Sequence, residues 1–392
     1  MPVADILIAV LLLAALVTGL RVGLFSAAGA LCGLVAGGLL APWALPLVAE
    51  AVPDAAWRPL AVIGGAIGLL ALGSALGAVV GGLIRRGADR LRLKALERLL
   101  GGVLALVAAA LAIALAGSGI AAAGIPTVSS AVASSSILRT IDRITPPPVA
   151  EAMARLHSAA LGDTVLPTID GLLDEGDATV EAEGVDPDDP ELRAAAASVA
   201  RIRGVAYACG RGASGTGFVV ADDLLVTNAH VVAGMENPIV ELPGEPAHDG
   251  RVVYFDPIDD LAVVAADVDA APLSVAEPLA AGDAAAVQGY PHGGPFRSVP
   301  AGVVATGSAP IEDIYAESTT PREVYALSAD VQPGNSGGPL LTGDGAVAGV
   351  VFARDEVQAG VGYAMTTGEL MPVLDALSGA LEPVPTGACV GG

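Results

Sequence analysis

Gly334-Asn335-Ser336-Gly337-Gly338-Pro339 decides how this chain is read. A serine set among glycines can present its hydroxyl as a nucleophile. Gly334 permits a backbone turn that aims its own N–H and that of Ser336 into one small space, where they can stabilise the oxyanion of a tetrahedral acyl intermediate. Such a stretch also occurs in ordinary turns, so the reading depends on a base and an orienting acid elsewhere in the chain.

Working outward, Val226-Thr227-Asn228-Ala229-His230-Val231-Val232 places one of only four histidines at the end of an apolar, β-prone run. Downstream, Asp256-Pro257-Ile258-Asp259-Asp260-Leu261-Ala262-Val263 supplies an acid entering another strand. Asp259 and Asp256 are alternatives; Asp260 is preferred because Asp-Leu-Ala-Val reads as the acid opening its strand. The order His230, Asp260, Ser336 is that of chymotrypsin-type enzymes. Asp260 would fix the tautomer of His230, whose other ring nitrogen would take the proton of Ser336. Gly334 and Ser336 would form the oxyanion hole. Asp330, six residues before Ser336, is a candidate floor for the primary specificity pocket and would favour Lys or Arg before the scissile bond; the alternative is a structural Asp.

From about Ser198 onward, short β-prone runs alternate with Gly, Pro and Asp, including Val199–Ile202, Gly217–Val220, Leu261–Ala265, Ala285–Gln288, Val347–Phe352 and Val361–Met365. This texture predicts all-β barrels, with a closing helix over Gly368–Leu377. Two barrels would meet with His230 and Asp260 on the first and Ser336 on the second.

The 392 residues exceed what two such barrels need. The surplus, residues 1–123, carries apolar runs near 3–20, 23–41, 60–84 and 99–119, each about the ~20 residues that span a bilayer as a helix. The start, Met-Pro-Val-Ala-Asp, lacks the positive region of a cleaved signal peptide. Arg85, Arg86, Arg90, Arg92, Lys94 and Arg98 crowd the third connection, which is therefore expected in the cytoplasm. Everything after about residue 123 is then extracytoplasmic, although Arg139 and Arg143 count against this. Glycines in the runs would allow close helix packing. Asp5 and Glu50 are expected at the membrane interface. The fold expected is an N-terminal all-α transmembrane four-helix module, residues 1–123, plus a C-terminal all-β chymotrypsin-like double β-barrel, residues 198–392.

Residues 124–197 form the linker. Ile137, Ile141 and Ile144, then Val149, Met153 and Leu156, repeat at helical spacing, with Pro146-Pro147-Pro148 between them. Two short amphipathic helices are expected, on the bilayer or on the catalytic domain. The acidic run at 162–191 has no metal-ligand spacing and reads as a solvated linker. With a net charge of −23, nucleic acid is excluded as a partner class. No cofactor and no metal is expected. Cys32 lies within an apolar run, while Cys209 and Cys389, if extracytoplasmic, either bridge or stand as two thiols.

The chain as a whole resembles the MarP family of actinobacterial membrane-anchored serine proteases. The matching stretches are the glycine-rich runs, Arg193–Ile202, Gly212–Val219, Thr227–Val232, Gly289-Tyr290-Pro291-His292-Gly293-Gly294-Pro295 and Asp330–Leu340, with the two outlying cysteines. The resemblance implies a colicin V production-like membrane module fused to a periplasmic protease and His230, Asp260 and Ser336 as the triad. It further implies a Cys209–Cys389 disulfide and a role in acid or oxidative stress. The expected partners are extracytoplasmic protein substrates and the lipid bilayer, with self-cleavage a further option. HtrA-like proteases share Asp-Leu-Ala-Val and Gly-Asn-Ser-Gly-Gly, but the residues after Met365 are too few for their PDZ domain. Asn335 stands where many trypsin-like enzymes carry an acid that pairs with a freed N-terminus, so activation by that route is not expected. An imidazole base must be neutral, and histidine ordinarily titrates at ~6.5, so acid works against such a base. Two other readings are a catalytically silent scaffold and a channel or export factor regulated by the outer domain.

Overall fold

The structure is a computed structural model describing residues 3–51, 58–88, 94–122, 132, 134–161, 166–169, 185–206, 211–377 and 381–390. It divides into two compact units, Met1–Ala114 and Leu115–Gly392.

The first unit is helical wherever it is described. α1 (Val3–Val22) stops at Gly23, whose φ of 85° suits a residue without Cβ, and α2 (Leu24–Ala51) follows at once. α3 (Arg58–Ala88) and α4 (Lys94–Ala122) complete the set. All four apolar runs are thus helices. Among the described residues, two windows, Ala4–Val22 and Ala95–Ala114, are long and apolar enough to cross a bilayer, so four crossings are not established by length and hydropathy. α2 and α3 pack backbone to backbone. A Cβ on Gly29 would strike the carbonyl of Gly77, and one on Gly33 the carbonyl of Gly73. Asp5, near the start of α1, is fully buried.

In the second unit the linker helices exist and lie on the β structure. α5 (Ser136–Ile144) is N-capped by the hydroxyl of Ser135, buries Leu138 and Ile141, and reaches the Glu245 carbonyl through Arg139 at 3.3 Å. α6 (Pro147–Leu161) begins on prolines, which suit a first turn whose N–H groups have no helical partner. Most of the acidic stretch, residues 170–184, lies outside the described residues.

The strands form two seven-stranded sheets. β1 (Thr168–Ile169) comes from the linker. The first sheet contains β2 (Val199–Ala206), β3 (Arg211–Ala221), β4 (Leu224–Thr227), β5 (Ile239–Glu241), β6 (His248–Asp249), β7 (Arg251–Asp256) and β8 (Leu261–Ala265), in the order β6-β5-β2-β3-β4-β8-β7. The second contains β9 (Ala284–Gly289), β10 (Arg297–Glu312), β11 (Thr319–Ser328), β12 (Pro339–Leu341), β13 (Val347–Asp355) and β14 (Val361–Thr366), with β1 at its edge. β13 pairs with both β12 and β14, which closes the second sheet into a barrel. A short helix, α7 (Pro190–Ala195), precedes β2; α8 (Ala229–Val232) follows β4, and α9 (Thr367–Ala376) ends the fold where a closing helix was expected.

Strand β8 shows why the runs read as continuously apolar. Its Ala262 and Val264 fill the interior of the first sheet with Ile202, Val219 and Leu225. Leu261 and Val263 face the other way, into a cluster that also holds Phe352, Tyr363 and Met365 from the second sheet. Both faces are buried, so period-two alternation disappears from the sequence.

Candidate active site

The turn between β7 and β8 separates the three aspartates. Asp256 Oδ1 accepts the N–H groups of Ile258 (2.8 Å) and Asp259 (3.1 Å), which shapes the turn. Asp260, held at φ 55°, points inward and is buried. Its Oδ2 lies 2.7 Å from Nδ1 of His230 and its Oδ1 accepts the His230 backbone N–H at 2.9 Å. The Asn228 amide donates to the Asp260 carbonyl at 2.8 Å. Backbone and ring of His230 are thus gripped by one carboxylate, which fixes Nδ1 as the protonated nitrogen and leaves Nε2 able to accept.

Ser336 sits in the loop before β12. Thr216 N–H donates to its carbonyl at 2.8 Å, the Thr216 hydroxyl donates to Gly334 O at 2.7 Å, and Tyr290 N–H donates to the same hydroxyl at 3.0 Å. One threonine on β3 of the first sheet therefore fastens the nucleophile loop of the second. Gly334 has φ 97°, and a Cβ there would collide with the carbonyl of Tyr290. Within the loop, the N–H groups of Asn335, Gly337 and Gly338 donate to Gln332, Val351 and Asn335 carbonyls, whereas those of Gly334 and Ser336 enter none of these bonds. Two donors left over on a glycine-framed loop are what an oxyanion needs. Ser336 is fully buried and His230 nearly so; among the described residues the hydroxyl of Ser336 and Nε2 of His230 have no hydrogen-bond partner, hence are not bonded to each other. Such bonds often form only when substrate arrives.

Asp330 is exposed and accepts from the side chain of Gln332. Its neighbour Val331 is buried and packs against Gly362. His292, in the loop between β9 and β10, titrates below the ordinary value because it is partly buried and faces Arg155 and Arg354, with Asp330 opposing.

Beside that loop, Arg201 and Arg203 of β2 both pair with Glu241 of β5. Burial pushes the Glu241 carboxyl up, but the two guanidiniums outweigh it and hold it at about 2. Arg201 also donates to Gly293 O at 2.9 Å and lies 5.6 Å from the centre of the Tyr290 ring. These residues, with Thr216 and Asn228, were missed by sequence reasoning; Thr216 and Arg201 lay within matching stretches but carried no catalytic pattern.

Among the described residues no group of His, Cys, Asp and Glu could hold a metal. Cys32 is a free cysteine and Cys389 is disulfide-bonded. Cys209 lies outside the described residues.

The family profile for the trypsin-like peptidase domain matches residues 215–350, and that for colicin V production protein matches residues 4–146. Serine protease Rv3671c of Mycobacterium tuberculosis is 37% identical over 273 residues, spanning 68% of this chain and 67% of that protein. A probable periplasmic DegP-like serine endoprotease of Halomonas elongata is 34% identical over 174 residues, 42% of this chain and 35% of its own length. The crystal structure of the active form of the Rv3671c protease superposes with a TM-score of 0.51 at 36% identity, covering 57% of this chain and 100% of that one. Fold, loop and relatives define a trypsin-like serine protease, with a helical region ahead of a chymotrypsin-like β domain. Within that class, the chain belongs to the MarP family.

Proposed function

We propose that this protein is a membrane-anchored, extracytoplasmic endopeptidase that cleaves envelope proteins through an acyl-enzyme. Ser336 attacks, His230 takes and returns the proton, Asp260 orients the imidazole, and the N–H groups of Gly334 and Ser336 receive the oxyanion. The 2.7 Å contact of His230 Nδ1 with Asp260, in a chain whose nucleophile loop keeps two donors spare, carries this reading. Attachment through four helices, with the cationic third connection inside the cell, is supported by the apolar helices and the colicin V production match. A Cys209–Cys389 disulfide follows from the family resemblance. The tail supports it: Thr386 O accepts the Gly234 N–H at 3.0 Å and Sγ of Cys389 lies against Gly234, just after the helix bearing His230.

A role in acid or oxidative stress follows from the family resemblance. A fluorophosphonate label tests the activity. Labelling of the full chain that disappears in Ser336→Ala sustains the reading; no labelling of the native chain at any pH overturns it in favour of a silent scaffold.

A further inference from the structure

Strand β13 has two edges with different occupants. β14 runs along one of them from Gly349 to Arg354. The opposite edge is taken first by β12, then by the nucleophile loop, which is bonded to Val351 in both directions: Gly337 N–H to Val351 O at 2.8 Å and Val351 N–H to Gly338 O at 2.9 Å. Beyond the loop, that same edge should be open to an extended polypeptide bringing a scissile carbonyl to Ser336, because strand addition is how a protein edge recognises extended chain.

The edge is not open. It holds the chain's own Leu166–Ile169: Arg354 N–H donates to Pro167 O at 3.1 Å and Glu356 N–H to Ile169 O at 3.2 Å. Thr168 and Ile169 stand in register with Arg354 and Asp355. Ile169 packs against the cluster shared by the two sheets, and Leu166 against the core of the second. The segment is delivered there by α6, itself fastened to the second barrel: Glu151 pairs with Arg297, and Ala154 fills the space over Gly294.

We propose that Leu166–Ile169 is a resident strand that competes with substrate for the β13 edge, so that proteolysis requires its displacement. The proposal names the regulation of the protease site and rests on that reading. β1 runs parallel to β13 and pairs over two residues. Parallel pairing is slightly weaker per residue than antiparallel pairing, so this is an occupant that yields rather than a permanent plug. A competitor of this kind lowers apparent substrate affinity by the fraction of time it is seated. Anything that draws α6 off the barrel would raise activity.

The test compares native full-length protein with Leu166→Ser/Ile169→Ser in detergent, using a fluorogenic peptide. The expected result is a KM lower by on the order of tenfold with kcat little changed, as two weak hydrogen bonds and their packing predict. An unchanged or higher KM, in a variant that still takes up fluorophosphonate stoichiometrically, overturns the proposal. If the variant does not fold, a synthetic peptide of residues 163–170 added to the native protein decides: competitive inhibition sustains the proposal and no inhibition at millimolar peptide overturns it. Absence of labelling in the native protein would bring down the protease reading instead, so the two failures are distinguishable.

Discussion

In the helical unit, large apolar side chains such as Ile6, Leu7, Val10, Leu76 and Val79 are exposed, while Gly29, Gly33, Gly73 and Gly77 lie at the contact between α2 and α3. In the β unit the arrangement is inverted: Ile202, Leu225, Phe352 and Leu340 are buried in the cores of the β structure. On the membrane-anchored reading proposed above, the two units are built for different solvents. Where the surroundings are as apolar as leucine, burying leucine gains nothing, and close backbone approach through glycine is what joins helices. In water, burial of side chains drives the fold, at about 25 cal/mol per Å² of apolar surface.

The comparison breaks hardest on activity. Ser336→Ala should lower kcat/KM by on the order of 10⁴–10⁶-fold and abolish fluorophosphonate labelling, with the helical unit unaltered by circular dichroism. Residual labelling would move the nucleophile elsewhere. Next, Gly334→Ala forces a Cβ into the carbonyl of Tyr290 at φ 97°. Loss of one oxyanion donor predicts a fall of about 10²–10³-fold in kcat with KM little changed; native kcat would remove Gly334 from the hole.

Stability of the β unit should depend on acid through Glu241. Its folded carboxyl titrates at about 2 against an ordinary 4.5, so its stabilisation is present above about 4.5 and is lost as pH falls through about 2. Glu241→Gln removes the carboxylate charge shared by two buried arginines and should lower Tm by roughly 6–12 °C at pH 7, or about 3 kcal/mol. That difference should fade toward pH 2 in thermal melts; a pH-independent difference would mean that packing, not charge, is at work. Smallest, Gly77→Leu should weaken the α2–α3 contact by about 1–3 kcal/mol, read as increased protease susceptibility of the helical unit. Peptidase activity in detergent should be retained, and its loss would show that the two units are coupled.

The candidate triad was legible because each member lies in a local pattern: Ser336 among glycines, His230 after a β-prone run, Asp260 opening an apolar strand. The choice among Asp256, Asp259 and Asp260 was not settled locally, and the turn geometry separates them. Short strands such as β5 and β6 escaped because two or three residues are too few to show a period-two pattern.

The sequence by itself determined the class of chemistry, the division into helical and β halves, and the two linker helices, since residue type and periodicity act over a few neighbouring positions. Tertiary structure alone decided the Thr216 anchor, the Arg201–Glu241–Arg203 cluster and the seat of Leu166–Ile169 on β13. Each joins residues distant in sequence that only strand pairing or the packing of the sheets brings together, and the backbone hydrogen bonds that hold the last of them leave no trace in side-chain identity.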